Sequence, residues 1–177
     1  EEDYGALYEP PYCNQFHFTA PKNWMNDPNG LCLWNGYYHA FYQSNPHSLK
    51  WGDMHWGHAV SKDLVSWTHL PIVLFPQDSL KDVFDKKGGA YSGCALPEND
   101  GIHLYFTRCF SPFVRDITSV EHQMEVVCNG EYTGEEKTII TSMPLASSKD
   151  FNFRDPKVVY IDGLPTMLIA TTVDGVC

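Results

Sequence analysis

The sequence contains no run of basic residues, no CxxC pair and no long apolar stretch, and each absence excludes a class of function. With 12 Lys and Arg against 22 Asp and Glu, the formal net charge is -10. Neither a nucleic acid nor an anionic membrane surface is therefore an expected partner, because both need clustered cations. A neutral polar ligand fits better. The longest apolar run, Leu70 to Phe75, is broken by Pro71 and falls far short of the roughly 20 residues a membrane helix needs. The first residues, Glu1-Glu2-Asp3-Tyr4, have neither the basic nor the apolar region of a signal peptide, and a leader already cleaved stays open. The six cysteines, Cys13, Cys32, Cys94, Cys109, Cys128 and Cys177, lie far apart and none has a zinc-site spacing to histidine. No metal and no cofactor are expected. Buried free thiols are the favoured state, which favours a reducing, cytoplasmic compartment, with secretion and disulfides as the alternative.

What is present is apolar and aromatic: 43% hydrophobic and 14% aromatic residues, enough for a packed core in a chain of 177 residues. No convincing long helix is visible. Residues 1–15, with Pro10 and Pro11, read as an irregular lead-in, and residues 16–177 as one β-rich unit. Phe16 to Thr19 alternates like a short strand. Leu31 to Trp34 and Tyr37 to Tyr42 are joined by Asn35-Gly36, the strongest short hairpin signal. His55 to Val60 and Ser66 to Leu70 complete a four-stranded antiparallel unit that ends before Pro71. A second unit runs through Tyr91 to Leu96, Ile102 to Thr107, Gln123 to Cys128 and Lys137 to Ile140. A third hairpin joins Lys157 to Ile161 and Leu164 to Thr171 across Asp162-Gly163. The turn glycines Gly36, Gly101 and Gly163 are 65 and 62 residues apart, as in a repeat of four-stranded blades. Radial repetition of such blades predicts an all-β fold, part of a β-propeller, rather than a sandwich. Two blades and a hairpin leave an open apolar edge, which the remainder of a propeller or a partner chain, as in an oligomer, is expected to cover.

The densest stretch is Trp24-Met25-Asn26-Asp27-Pro28-Asn29-Gly30. Pro28 pushes Asp27 out of the helical region, and Asn29-Gly30 reads as a turn. Four further groups follow: Phe41-Tyr42-Gln43-Ser44-Asn45-Pro46, Trp51 to Ser61, Tyr91-Ser92-Gly93 and Phe153-Arg154-Asp155-Pro156. In this order the five motifs resemble the β-fructofuranosidases of glycoside hydrolase family 32, which include invertase, inulinase, levanase and sucrose-6-phosphate hydrolase. The resemblance runs from about Phe16 to Val159 and implies a five-bladed propeller with a funnel-shaped site, acting on a small carbohydrate.

The resemblance places Asp27 at the family's nucleophile and Asp155 at the carboxylate that binds fructose hydroxyls and stabilises the transition state. Trp24, Asn26, Gln43, Trp51, Tyr91, Ser92 and Arg154 match substrate-contacting positions. These residue types suit the chemistry. A retaining glycosidase needs one carboxylate to attack the anomeric carbon and a second carboxyl about 5 Å away to protonate the leaving oxygen. Amides and arginine direct hydrogen bonds to hydroxyls, and tryptophan walls the sugar's C–H face. Tyr91 stands where the family commonly has Phe, and Cys94 where it often has Ser. His55 and His58, three apart in a strand, point to opposite faces and read as structural rather than metal-binding. Trp56 and Trp67 read as blade packing.

One departure limits the match. The family's acid/base is a glutamate well after the Arg-Asp-Pro motif, and none of the 21 residues after Pro156 is Glu. A retaining β-fructofuranosidase of sucrose or small fructans, truncated before that glutamate and nearly inert as this chain alone, is the leading expectation. A non-catalytic fructan- or sucrose-binding module and a fructosyltransferase are the alternatives.

Overall fold

The computed structural model describes residues 14, 17–78, 88–110, 120–141 and 151–173. The expected lead-in over 1–15 lies outside them apart from residue 14. The described residues form ten strands: β1 (Trp24–Trp34), β2 (Tyr37–Asn45), β3 (Asp53–Ser61), β4 (Trp67–Leu74), β5 (Gly88–Pro97), β6 (Ile102–Phe110), β7 (Val120–Cys128), β8 (Lys137–Ile140), β9 (Phe151–Ile161) and β10 (Leu164–Val173). Strands β1 to β4 form one antiparallel blade and β5 to β8 a second. A short parallel junction, Asp53 to Gly88 and Met54 to Gly89, joins the two. The pair β9 and β10 begins a third.

The hairpin at Asn35-Gly36 forms as expected, with both residues at positive φ, 47° and 76°. That is the backbone twist a two-residue connection between twisted strands demands. Elsewhere the chain departs from the expectation. Residue 16 of the expected first strand lies outside the described residues and residues 17–19 are not in a strand, and Asn29-Gly30, read as a turn, lies inside β1. Its Pro28 is tolerated because, among the described residues, β1 hydrogen-bonds only to β2 and has no partner strand on its other side. Strand β4 continues through Pro71 for the same reason: it is the outer edge, and its register with β3 is broken between Trp56 and His58.

The main core lies between the first two blades. Phe41, Trp56, Val73 and Leu74 from one meet Ile102, Leu104, Phe106, Met124 and Val126 from the other, all nearly inaccessible. A second cluster, Cys94, Tyr105 and Val158, joins blade two to β9. These contacts set β1, β5 and β9 side by side as the innermost strands. Gly30 shows how closely β1 and β5 approach: a Cβ there would lie 3.0 Å from the Ala95 Cβ and 2.9 Å from the Phe41 ring.

Of the cysteines, Cys94, Cys109 and Cys128 are buried and Cys32 is half-buried, and none of these four is in a disulfide. Cys13 and Cys177 lie outside the described residues. Trp56 is fully buried in the blade, as expected of a packing residue, and His58, read as structural, is also fully buried and shares a 3.0 Å hydrogen bond with His39.

Candidate active site

Each of the three innermost strands carries the same irregularity, in which two of its residues face one on the neighbouring strand. Asn26 and Asp27 of β1 stand opposite Gln43 alone, because the register passes from Met25–Ser44 to Pro28–Tyr42. Tyr91 and Ser92 of β5 stand opposite Thr107. Asp155 and Pro156 of β9 stand opposite Ile169. A bulge of this kind frees its residues from the ladder and re-aims their side chains. Asp27, Ser92 and Asp155, three of the residues picked out in the sequence, all sit in these bulges.

The bulges converge. Ser92 donates its hydroxyl proton to Asp27 Oδ2 at 2.6 Å. The carboxyl of Asp155 is raised above the ordinary carboxylate range, chiefly by partial burial. The adjacent Arg154 pulls it down, and repulsion from Asp27 pushes it up. Two carboxylates from non-adjacent segments thus feel each other across the innermost strands. Asp155 is held at φ 59°, a left-handed conformation uncommon outside glycine. The backbone N–H of Asp155 donates to Thr107 Oγ1 at 3.1 Å.

A relay of directed hydrogen bonds fixes the amides beside Asp27. Trp24 Nε1–H donates to Asn26 Oδ1 at 2.8 Å, so the amide of Asn26 turns its Nδ2 to Gln43 Oε1, also at 2.8 Å. Gln43 Nε2 then donates to the Ala90 carbonyl at 3.3 Å, which ties β2 to β5 next to the second bulge. The relay leaves Asn26 and Gln43 with defined orientations before any ligand arrives.

Trp51 and Tyr91 form an aromatic pair, with ring centroids 5.8 Å apart. Trp51 is 40% exposed, whereas Tyr91 is largely enclosed. The Tyr91 hydroxyl is hydrogen-bonded to the Cys109 thiol, and burial holds its pKa far above the usual phenol value. That hydroxyl is a packing group here, and the ring is what faces Trp51. Arg154 pairs with Glu121, Nη1 to Oε1 at 3.5 Å.

Sequence reasoning missed Glu121, Gln123, Thr107 and Asn29. Asn29, 3% exposed, accepts a 3.4 Å bond from the Gly93 N–H and so bridges β1 to β5 where no strand pairing does. Glu121 and Gln123 alternate along β7 as solvent-facing residues do, and only the packing of β9 against them reveals their burial. Among the described residues no group of three or more His, Cys, Asp or Glu could hold a metal ion. An apolar hollow of about 250 Å³ in the first blade, lined by Phe18, Leu31, Tyr38 and Trp67 among others, contains none of the candidate residues.

The model of the glycosyl hydrolases family 32 N-terminal domain matches residues 17–176. A levanase of Bacillus subtilis is 41% identical over 162 residues, 89% of this chain and 22% of the levanase. A sucrose-6-phosphate hydrolase of Zymomonas mobilis is 40% identical over 148 residues, 81% of this chain and 27% of that protein. The structure of a family 32 glycoside hydrolase from Bifidobacterium adolescentis superposes with a TM-score of 0.77 at 36% identity, covering 94% of this chain and 29% of that one. This chain thus spans about a quarter of the length of these relatives. Its two four-stranded blades and further hairpin are part of the five-bladed β-propeller found in such structures. The chain belongs to the glycosyl hydrolases family 32 and makes up part of that family's N-terminal domain.

Proposed function

We propose that this chain carries the nucleophile side of a retaining β-fructofuranosidase that acts on terminal β-D-fructofuranosyl residues of sucrose or a small fructan. The observation that carries the reading is the meeting of Asp27, Ser92 and Asp155 in matching bulges of the three innermost strands. In this mechanism an Asp27 carboxylate oxygen attacks the anomeric carbon and the glycosidic bond breaks. The leaving oxygen takes a proton from an acid supplied by a glutamate outside these 177 residues. Water then cleaves the fructosyl–Asp27 ester and restores the carboxylate. Ser92 orients the attacking carboxylate. Asp155 and Arg154 hold sugar hydroxyls, Asn26 and Gln43 offer directed amide groups, and Trp24 and Trp51 wall the ring.

Because a missing proton donor costs roughly 100- to 10,000-fold, the longer parent protein is expected to hydrolyse sucrose or a small fructan while the isolated chain is nearly inert. Leu31, Leu33, Leu164 and Leu168, each more than half exposed, offer apolar surface for the remainder of the propeller or a partner chain to cover. The test is the intact mass of the natural protein beside a fructose-release assay on it and on the 177-residue chain. A parent without activity on any β-fructofuranoside would sink the reading. The second reading is a fructan- or sucrose-binding module without turnover. Calorimetry with fructose and sucrose separates the two, since a module binds both without releasing product. Transfer to an acceptor other than water uses the same residues and is read from the products.

A further inference from the structure

We propose that Glu121, Gln123 and Thr107, three side chains of the second blade, are positioning residues that hold Arg154 and Asp155 in the geometry a bound fructosyl ring requires. The inference rests on the reading of the site given above. Among the described residues strand β9 pairs with β10 on one side only, and on its other side these three side chains act in place of a neighbouring strand. Glu121 Oε2 accepts the Phe153 N–H at 2.6 Å, and Gln123 Nε2 donates to the Phe153 carbonyl at 2.6 Å. Thr107 Oγ1 accepts the Asp155 N–H at 3.1 Å and donates to Gln123 Oε1 at 2.9 Å. The backbone on both sides of Arg154 is therefore clamped by side chains. The other Glu121 oxygen faces the Arg154 guanidinium.

Burial makes the clamp stiff. Thr107 and Gln123 are 0% exposed and Glu121 is 1% exposed. A fully bonded network in a low-dielectric interior is strong, and removing any member leaves a buried polar group without a partner. What the clamp holds is strained: Asp155 keeps a left-handed φ of 59° immediately before a proline. That conformation persists only where its surroundings over-determine it. It also sets Asp155 where it feels Asp27. A plain strand–blade contact needs no such geometry, and an aspartate that must meet a sugar opposite a second carboxylate does.

The test compares the parent protein with its Thr107→Val and Thr107→Ser variants. Valine keeps the shape of threonine but cannot accept the Asp155 N–H, whereas serine can. For Thr107→Val, kcat per folded molecule is expected to fall about 10- to 100-fold, the loss a misplaced catalytic group produces. Its acid limb in the pH–rate profile should shift as well, and Thr107→Ser should recover most of both. Wild-type kcat and pH profile in Thr107→Val, or a loss that serine does not rescue, overturns the inference while leaving the proposed function standing. Should the parent not turn over sugar, fructose binding by calorimetry replaces kcat, with weakening in Thr107→Val and recovery in Thr107→Ser expected. A parent that neither hydrolyses β-fructofuranosides nor binds fructose overturns both.

Discussion

Ser92 and Asp27, 65 residues apart, are joined by a 2.6 Å hydrogen bond between the bulges of two innermost strands that do not pair with each other. The contact spans two blades, so the carboxylate is aimed only when both are packed. Hydrogen bonds to a charged acceptor are worth about 1.5–3 kcal/mol. Ser92→Ala in the parent protein is therefore expected to lower kcat/KM by about 10- to 100-fold with little change in melting temperature, since Asp27 is exposed. Steady-state kinetics and a thermal melt check both.

Under the proposed function, replacing Asp27 itself removes the attacking atom instead of loosening it. Asp27→Asn in the parent is expected to cost at least about 1,000-fold in fructose release, because in the proposed mechanism the Asp27 carboxylate forms the covalent intermediate. The melting temperature should hold. Retained turnover would overturn the assignment of Asp27 as nucleophile.

The close approach of β5 to β6 depends on Gly93. A Cβ at that position would lie 2.0 Å from the Tyr105 carbonyl oxygen and 2.8 Å from the Phe106 Cα, both backbone atoms that cannot swing away. Gly93→Ala is expected to destabilise by roughly 1–3 kcal/mol, which lowers the melting temperature by about 5 °C. Gly36→Asn is the control. It has open space around it, and asparagine tolerates the positive φ of 76°. Equal losses in the two variants would show that the clash is relieved by backbone movement.

Parts of this arrangement were legible in the sequence and parts were not, for physical reasons. Asn35-Gly36 announced its hairpin because few residue pairs accept two successive positive φ angles. Asp-Pro-Asn-Gly misled because a bulged edge strand and a loop ask for the same residues, those tolerant of broken pairing. The motifs brought Asp27, Ser92 and Asp155 to notice, yet only the three registers show that one structural device repeats in all of them. Glu121, Gln123 and Thr107 stayed hidden because a polar residue at every second strand position reads as a solvent-facing row. Their burial comes from β9, which arrives 30 residues later in the chain for the Gln123 contact.

Asp155 leads to a pH prediction. Its carboxyl is raised by partial burial and by Asp27, with Arg154 opposing. If the ionised form binds the sugar, activity is present above that raised value and lost as the pH falls through it. The acid limb of kcat/KM should therefore lie above the ordinary aspartate range. Arg154→Gln removes the influence that lowers it, so the limb should move to higher pH, beyond whatever activity the variant loses through weaker sugar contact. A limb that stays in place would mean that another group controls it.

A second pH dependence concerns stability and comes from histidines remote from the chemistry. His39 Nδ1 and His58 Nε2 lie 3.0 Å apart inside the first blade, and His58 stacks on Phe41 with ring centroids 4.2 Å apart. His58 Nδ1 is buried with no partner, so a proton added there would leave an unpaired buried charge. Burial first, and then repulsion from His39, push His58 down from 6.5 to about 3, and burial lowers His39 as well. Between these limits the unfolded chain binds the proton that the folded chain refuses, so stability is fully present above about pH 6.5 and falls as the pH drops toward 3. At about 1.36 kcal/mol for each pH unit below 6.5, the loss from His58 reaches about 2 kcal/mol by pH 5. His58→Gln cannot take up the charge and keeps a hydrogen-bonding group for His39. Its denaturant midpoint should therefore change less between pH 6.5 and pH 5 than that of the wild type, and an unchanged slope would assign the acid sensitivity to other groups.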